Sequence, residues 1–146
     1  MIRKANPTDR AALVALMDES NGYEAPAARA MIADFTPRWT FGEADEVWLD
    51  EEAGEALGFY QLIPHADGVL ELDLFFTANM AQGRGVGRWL FDHMADRARA
   101  LGARAVVISS NPKAAEFYRR MGAVDIGVSP PVGAITWERP RLRLSL

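Results

Sequence analysis

A glycine-rich loop, Gln82–Gly87, has the residue types and spacing best suited to chemistry in this chain. Its three alternating glycines leave a stretch of backbone without Cβ atoms, so its N–H groups can approach a ligand closely. An amphipathic helix is predicted to follow, and its first turn adds unpaired N–H groups and the positive end of a helix dipole. Arg84 and Arg88 are four residues apart, so we expect them on one helix face, where they add positive charge. The loop is therefore predicted to bind an anion, with phosphate the best fit.

Two common phosphate-binding motifs do not match this loop. The dinucleotide fingerprint G-x-G-x-x-G would need a third glycine at the position of Arg88. A P-loop would need Gly-Lys followed by Ser or Thr, and the loop has neither a lysine nor a hydroxyl. The pattern that remains is Q-x-x-G-x-G, which begins at Gln82 and ends at Gly87.

The elements that position the loop are a strand before it and a helix after it. Apolar periodicity predicts a strand over residues 69–77 and a helix over residues 85–100. The remaining patterns predict a strand at 2–5, helices from Asn6 and over 26–35, strands over 46–50, 57–63 and 105–109, a helix over 112–121, and closing strands at 124–128 and 135–144. The chain is predicted to form one mixed α/β domain over residues 1–146.

Composition excludes several classes of protein. With no cysteine, the chain has no disulfide framework and no thiol nucleophile, and its two histidines, His65 and His93, are too far apart in sequence to predict a zinc site. No stretch approaches the roughly 20 apolar residues of a membrane span, and the N-terminus does not resemble a signal peptide. These features predict a cytoplasmic protein that does not bind membranes.

The net charge of −4 is unevenly distributed. Residues 1–76 hold five Lys and Arg against fifteen Asp and Glu, whereas residues 77–121 hold eight against three. The basic segment surrounds the glycine loop and fits a polyanionic ligand. The acidic half fits either a cationic partner or ordinary solvated loops. Nucleic-acid binding is not expected, because the chain is acidic and its arginines are spread around the predicted helix.

The segment Leu70–Gly122 resembles the core of the GNAT superfamily of N-acetyltransferases. A strand leads into QGRGVG and a helix, a second strand follows over residues 105–109, and the segment from Asn111 to Ala123 matches the pattern N-x-x-A-x-x-F-Y-x-x-x-G-A/F. Thr77 and Asn79 depart from the usual residues, a small aliphatic and a proline, but remove no donor that the loop needs. The resemblance implies an α/β fold with a mixed, mostly antiparallel sheet of about six or seven strands, about four flanking helices and a parallel strand pair at the cofactor site.

The resemblance also implies that acetyl-CoA is the cofactor. Its pyrophosphate is expected on the backbone N–H groups of Gln82, Gly83, Arg84, Gly85, Val86, Gly87 and Arg88, and its pantetheine arm on the backbone of Phe75, Phe76 and Thr77. Asn111 is predicted to cap the helix that begins at Pro112, and the resemblance adds a polar contact between Asn111 and the cofactor.

The implied reaction is direct attack of an amine on the thioester carbonyl through a tetrahedral intermediate. Tyr118 is the candidate acid for the departing thiolate, because a thiol near 8.5 and a tyrosine near 10 have roughly matched pKa values. The alternative is that Tyr118 only packs beside Phe117, although Ala114, Phe117 and Met121 already predict the core stripe of that helix. Glu71 and Asp73, expected on one strand face with Phe75 and Thr77, are the candidate bases. His65 is another candidate base, although a loop histidine is expected to be exposed.

The acceptor site is expected near the first two helices. The candidate residues there are five aromatic rings and one carboxylate: Tyr23, Glu24, Phe35, Trp39, Phe41 and Trp48. Together they would suit a cationic amine. The alternative is that they form an ordinary core, which is the expectation for Phe35 and Trp48.

The predicted function is acetyl transfer to a primary amine of a small molecule or peptide. A non-catalytic acyl-CoA-binding regulatory module is the alternative. The alternating tail Arg139–Leu144 would either pair across a homodimer interface or form an exposed edge protected by charge.

Overall fold

One seven-stranded sheet organises the protein. The computed structural model describes residues 1–146. The elements are β1 Ile2–Lys4, α1 Arg10–Glu19, α2 Pro26–Phe35, β2 Glu46–Glu52, β3 Glu55–Pro64, β4 Val69–Thr77, α3 Val86–Ala100, β5 Ala105–Ser109, α4 Ala115–Arg120, β6 Val124–Ser129 and β7 Arg139–Ser145. The strand order is β1-β2-β3-β4-β5-β7-β6, and every neighbouring pair is antiparallel except β4 with β5. The predicted fold class, including the parallel pair, is confirmed.

The parallel pair β4–β5 is short. It joins Val69 to Ala105, Leu70 to Val106 and Glu71 to Val107, and no pairing continues beyond Glu71. The rest of β4 therefore has a free backbone edge on the side of β5, and a cleft opens between the two strands.

A β-bulge at Asp73 changes the side-chain alternation of β4. Leu72 pairs with Leu62 of β3, and Leu74 pairs with the adjacent Gln61, so Asp73 is an extra residue with no partner. Bulges of this kind re-aim the side chains on either side of them.

The bulge overturns one prediction about β4. Leu72 packs in the core beneath α3, and so does Phe75, although the two are three positions apart and would face opposite sides of a regular strand. Glu71 therefore projects from the opposite face to Phe75. The expectation that Glu71 shares a face with Phe75 and Thr77 is wrong, because it assumed an uninterrupted period of two.

Two groups of buried side chains pack on the two faces of the sheet. The larger lies against α3 and α4 and includes Tyr60, Leu90, Phe91 and Met94. The smaller lies against α1 and α2 and includes Leu13, Met17, Ile32, Phe59 and Phe76.

The helix after β5 begins with a 3₁₀ turn, Pro112–Ala114, before α4. Its buried residues are Ala115 and Tyr118, whereas Ala114, Phe117 and Met121 are only partly buried. The three residues of the predicted stripe pack against the core as expected, but the most deeply buried positions of this helix are Ala115 and Tyr118.

The C-terminal strand also differs from both alternatives predicted for it. β7 begins at Arg139 and lies inside the sheet, paired with β5 on one side and β6 on the other. It therefore forms neither an exposed edge nor a free edge for a second copy. Ile135 belongs to an isolated bridge with Val132. No helix is both long and apolar enough to cross a membrane.

Candidate active site

The cleft between β4 and β5 has a volume of about 680 Å³. Its walls come from β4, the glycine loop, the start of α4, the α1–α2 loop and the segment that leads into β7. The strands part here, so residues that are distant in sequence line one continuous space.

A row of unpaired backbone donors lines one end of the cleft. The N–H groups of Gly83, Gly85, Val86, Gly87 and Arg88 make no hydrogen bond within the protein. Loop N–H groups on either side of Gly83 are already used: Gln82 N–H donates to Asn79 O, and Arg84 N–H donates to Ala81 O. The predicted anion site is therefore built mainly from the glycines and the first turn of α3.

The loop conformation requires glycine at two positions. Gly83 has φ of +80° and Gly85, which caps α3, has φ of +82°. A side chain at either position is disfavoured by the left-handed backbone. The positive φ at Gly85 turns the chain into α3 while leaving the first helical N–H groups exposed.

The two arginines of the loop have different positions. α3 begins at Val86, so Arg84 precedes the helix, and the expectation that it shares a helix face with Arg88 is wrong. The Arg84 guanidinium pairs with Glu52 at 3.4 Å, outside the main cleft. Arg88 and Lys113 line the cleft and supply positive charge there.

The free edge of β4 offers further backbone groups. Ala78 N–H donates to Leu57 O, and Phe76 pairs with Phe59 in β3. Because backbone groups alternate along a strand, those of Phe75 and Thr77 point to the cleft and those of Phe76 point to β3. Two of the three residues predicted to bind pantetheine thus have backbone groups available.

Tyr118 places a free hydroxyl in the cleft. Its ring is buried and packs edge-on against Phe75 and Phe117. The residue lines the cleft, and its hydroxyl makes no hydrogen bond within the protein. Burial raises the pKa of Tyr118 above its ordinary value of 10, so the hydroxyl remains protonated at neutral pH. It is also a weaker acid than the predicted match with a thiol pKa near 8.5 assumed.

The two strand carboxylates have different surroundings. Glu71 accepts hydrogen bonds from Arg141 at 3.1 Å and contacts His65 Nε2 at 2.8 Å. Its oxygens are therefore already engaged in an ion pair, and His65 is bound to Glu71 instead of facing the cleft.

Asp73 is free where Glu71 is not. The bulged residue lines the cleft, and its carboxylate forms no hydrogen bond or ion pair with the protein. Asp73 is exposed at the surface of the cleft, but the cleft walls partly desolvate its carboxylate. This desolvation and the charge of Glu71 raise the pKa of Asp73, and His65 opposes the shift. A raised pKa makes this carboxylate a better proton acceptor than an ordinary aspartate.

Three side-chain amides hold the α1–α2 loop against the cofactor end of the cleft. Asn79 donates to Glu19 O and accepts from Asn21 N–H, while the Gln82 and Asn21 amides bond reciprocally. Asn111 donates to Gly22 O at 2.9 Å. The Asn111 oxygen also accepts from Lys113 N–H, which confirms the predicted cap.

The far end of the cleft differs from the predicted acceptor wall. Tyr23 and Phe35 line the cleft, whereas Trp39 and Phe41 are buried in the core. Trp48 packs on the α3 face, within 5.3 Å of the Arg97 guanidinium, and Glu24 does not line the cleft.

The C-terminal segment contributes three wall residues that the sequence did not predict. Ile135, Trp137 and Arg139 reach the cleft from the segment before β7 and from its first residue. The only sequence signal was the arginine alternation of the tail. Burial raises the pKa of Tyr23, and the Asn111 side chain and the charge of Arg139 oppose the shift. The Tyr23 hydroxyl therefore lies close enough to Arg139 for the two groups to interact electrostatically.

Comparisons with solved structures identify the fold. The ribosomal-protein-S18-alanine N-acetyltransferase of Escherichia coli is 16% identical with a TM-score of 0.74, covering 99% of this chain and 92% of its own. A GCN5-related N-acetyltransferase of Kribbella flavida is 24% identical with a TM-score of 0.75, covering 100% and 97%. Rv2747 of Mycobacterium tuberculosis, solved in complex with CoA and NLQ, is 18% identical with a TM-score of 0.71, covering 100% and 99%.

The family assignment comes from the sequence. No functionally curated protein sequence matches the chain. Residues 12–123 match the acetyltransferase (GNAT) family, and this match spans more than half of the chain and includes the glycine loop, β4 and α4. The chain therefore belongs to the GNAT acetyltransferase family, whose cofactor is acetyl-CoA.

Proposed function

We propose that this protein is an N-acetyltransferase that moves the acetyl group of acetyl-CoA to a primary amine of a small molecule or peptide. The observation that carries the proposal is one cleft with phosphate donors at one end and a free tyrosine hydroxyl and a free carboxylate further along. A module that only binds acyl-CoA would need the donors but not the other two groups.

The hydrogen-bond donors and the positive charge of the cleft match the phosphates of acetyl-CoA. The unpaired N–H groups from Gly83 to Arg88 would hold the pyrophosphate, since a helix N-terminus favours anions. Arg88 and Lys113 would add charge attraction. The open backbone groups of Phe75 and Thr77 would bind the pantetheine arm as an added strand does.

The residues of the chain supply the proton transfers. Bound acetyl-CoA supplies an activated acetyl thioester, so that one C–S bond is exchanged for one C–N bond. Asp73 would accept the proton lost by the attacking amine, because its carboxylate is unpaired and its pKa is raised. The Tyr118 hydroxyl would donate its proton to the departing thiolate and regain one afterwards.

Calorimetric titration with acetyl-CoA tests the proposal, with NAD and ATP as controls. We expect saturable micromolar binding of acetyl-CoA alone, followed by thiol release when an amine is added. The chain contains no cysteine, so a thiol reagent reports released CoA without a background from the protein. Absence of binding by folded protein, or binding without turnover on any amine, would contradict the proposal.

Gly85→Ala is expected to weaken acetyl-CoA binding by about tenfold. A non-glycine residue in the left-handed region costs roughly 1–2 kcal/mol, and relaxation would tilt the N–H groups away from the phosphate. Gly102→Ala is the matched control, because Gly102 has φ of +81° and lies at the far end of α3. Both variants should lose similar stability in thermal melts, but only Gly85→Ala should change the calorimetric Kd. Equal Kd values for the two variants would show that the loop does not bind the cofactor.

A further inference from the structure

Arg139 carries a buried donor that has no partner. Its Nε atom is inaccessible to solvent and makes no hydrogen bond, and it is the only such buried side-chain N or O atom in the protein. A buried N–H without an acceptor is costly, so native proteins rarely keep one unless something else satisfies it.

Most other arginines have acceptors. Seven of them pair with carboxylates: Arg3, Arg38, Arg84, Arg97, Arg99, Arg119 and Arg141. Three more donate to backbone carbonyls: Arg10, Arg29 and Arg104. Arg88, Arg120 and Arg143 have no such partner either, but none of them has a buried orphan donor. Arg139 therefore combines an unused charge with a desolvated N–H group.

Arg139 lies on the acceptor side of the cleft. Arg141, two residues further along β7, reaches across the sheet to Glu71. Side chains two residues apart share a strand face, so Arg139 lies on the same face as Arg141 and about 7 Å nearer the mouth of the cleft. On β4, the bulge residue Asp73 follows Glu71 by two positions and lines the cleft. A carboxylate and a guanidinium thus line the cleft beyond the Glu71–Arg141 pair.

Four other wall residues at this end have aromatic or aliphatic side chains. Ile135 and Trp137 precede Arg139 along the chain, and Tyr23 and Phe35 come from the α1–α2 region. Four charged residues line the cleft: Asp73, Arg88, Lys113 and Arg139. Arg88 and Lys113 belong to the phosphate end, so Asp73 and Arg139 are the charged residues of the other end, and Asp73 is the only carboxylate. Asp73 does not pair with Arg139.

We propose that Arg139 binds a carboxylate of the acceptor, and that the acceptor is a free amino acid with an apolar side chain. This inference rests on the proposed N-acetyltransferase function. A guanidinium binds a carboxylate through two parallel hydrogen bonds. The orphan Nε–H would be satisfied once the guanidinium turns into the cleft to meet that carboxylate. The amine of the same molecule would then lie towards Asp73, and its side chain would contact the apolar wall.

The test compares free amino acids with their C-terminal amides in a CoA-release assay. We expect an apolar amino acid to have a kcat/KM at least about tenfold higher than that of its amide, since charged hydrogen bonds are the stronger ones. Arg139→Met should remove this preference by raising KM for the acid, and Arg139→Lys should restore part of it. Arg143→Met is the matched control, because Arg143 is on the same strand and face, is unpaired and lies outside the cleft.

Two measurements separate this role from others. Arg139→Met should melt at the same or a higher temperature than the parent protein, because it removes an unsatisfied donor, whereas a structural role would lower the melting temperature. Its calorimetric affinity for acetyl-CoA should not change. Weaker acetyl-CoA binding would instead assign Arg139 to the cofactor and overturn the inference.

The outcomes also separate this inference from the proposed function. Turnover of amides and simple amines as fast as that of the acids would overturn the amino-acid acceptor alone. Absence of turnover with every amine, by a protein that binds acetyl-CoA, would overturn the acetyltransferase function and this inference with it.

Discussion

Replacing Tyr118 with phenylalanine is expected to lower kcat by about 10²- to 10⁴-fold, the usual contribution of a positioned acid. The substitution removes only a hydroxyl that has no protein partner, while the ring keeps its contacts with Phe75 and Phe117. The melting temperature and the affinity for acetyl-CoA should therefore remain those of the parent protein. Steady-state CoA release, thermal melts and calorimetry measure the three quantities.

Tyr60→Phe is the control for this prediction. Tyr60 is also a buried tyrosine, but its hydroxyl bonds to His93 Nδ1 at 2.8 Å and lies outside the cleft. Loss of that bond should lower the free energy of unfolding by about 1 kcal/mol and leave kcat unchanged. If Tyr118→Phe turned over at the parental rate, the thiolate would have another acid and the assigned role would be wrong.

Asp73→Asn is expected to lower kcat/KM by about 10²- to 10⁴-fold, because asparagine cannot accept the proton of the amine. The active form of Asp73 is the carboxylate, so activity of the parent protein should fall as the pH drops through the pKa of this group. Partial desolvation by the cleft walls and the charge of Glu71 raise that pKa above the ordinary value of 3.8, which moves the acid limb to higher pH. The limb should be absent from the pH profile of Asp73→Asn.

Glu71→Gln separates the two carboxylates. Glu71 is bound by Arg141 and His65, so its substitution should mainly weaken the link between β4 and β7. We expect a lower melting temperature and an acid limb that is retained but lies at lower pH, because the charge of Glu71 no longer raises the pKa of Asp73. A large loss of turnover in Glu71→Gln, together with a mild effect in Asp73→Asn, would exchange the two roles.

The features that the sequence predicted well are those specified by neighbouring residues. The alternation of glycines at 83 and 85 defines the loop, and the apolar period of β4 gives Val69–Thr77 in agreement with the structure. Asn111 followed by Pro112 is a local cap signal, and the cap is present.

The features that the sequence did not predict depend on residues far apart in the chain. The bulge at Asp73 exists because β4 pairs with β3, and no local pattern shows an extra residue. The acceptor wall includes Trp137 and Arg139 only because β7 lies between β5 and β6. An orphan donor can be recognised only after the fold has placed every possible acceptor.

The interior position of β7 has a consequence for how the protein is made. The ribosome synthesises the chain from the N-terminus to the C-terminus, so β1 to β4 and α3 can assemble while β7 is still being synthesised. β5 can join β4, but its other edge and the whole of β6 pair only with residues 139–145. During that interval the nascent sheet ends in an open β5 edge, the kind of surface that chaperones protect and that aggregates when left uncovered. The wall that carries Arg139 is therefore the last part of the cleft to form.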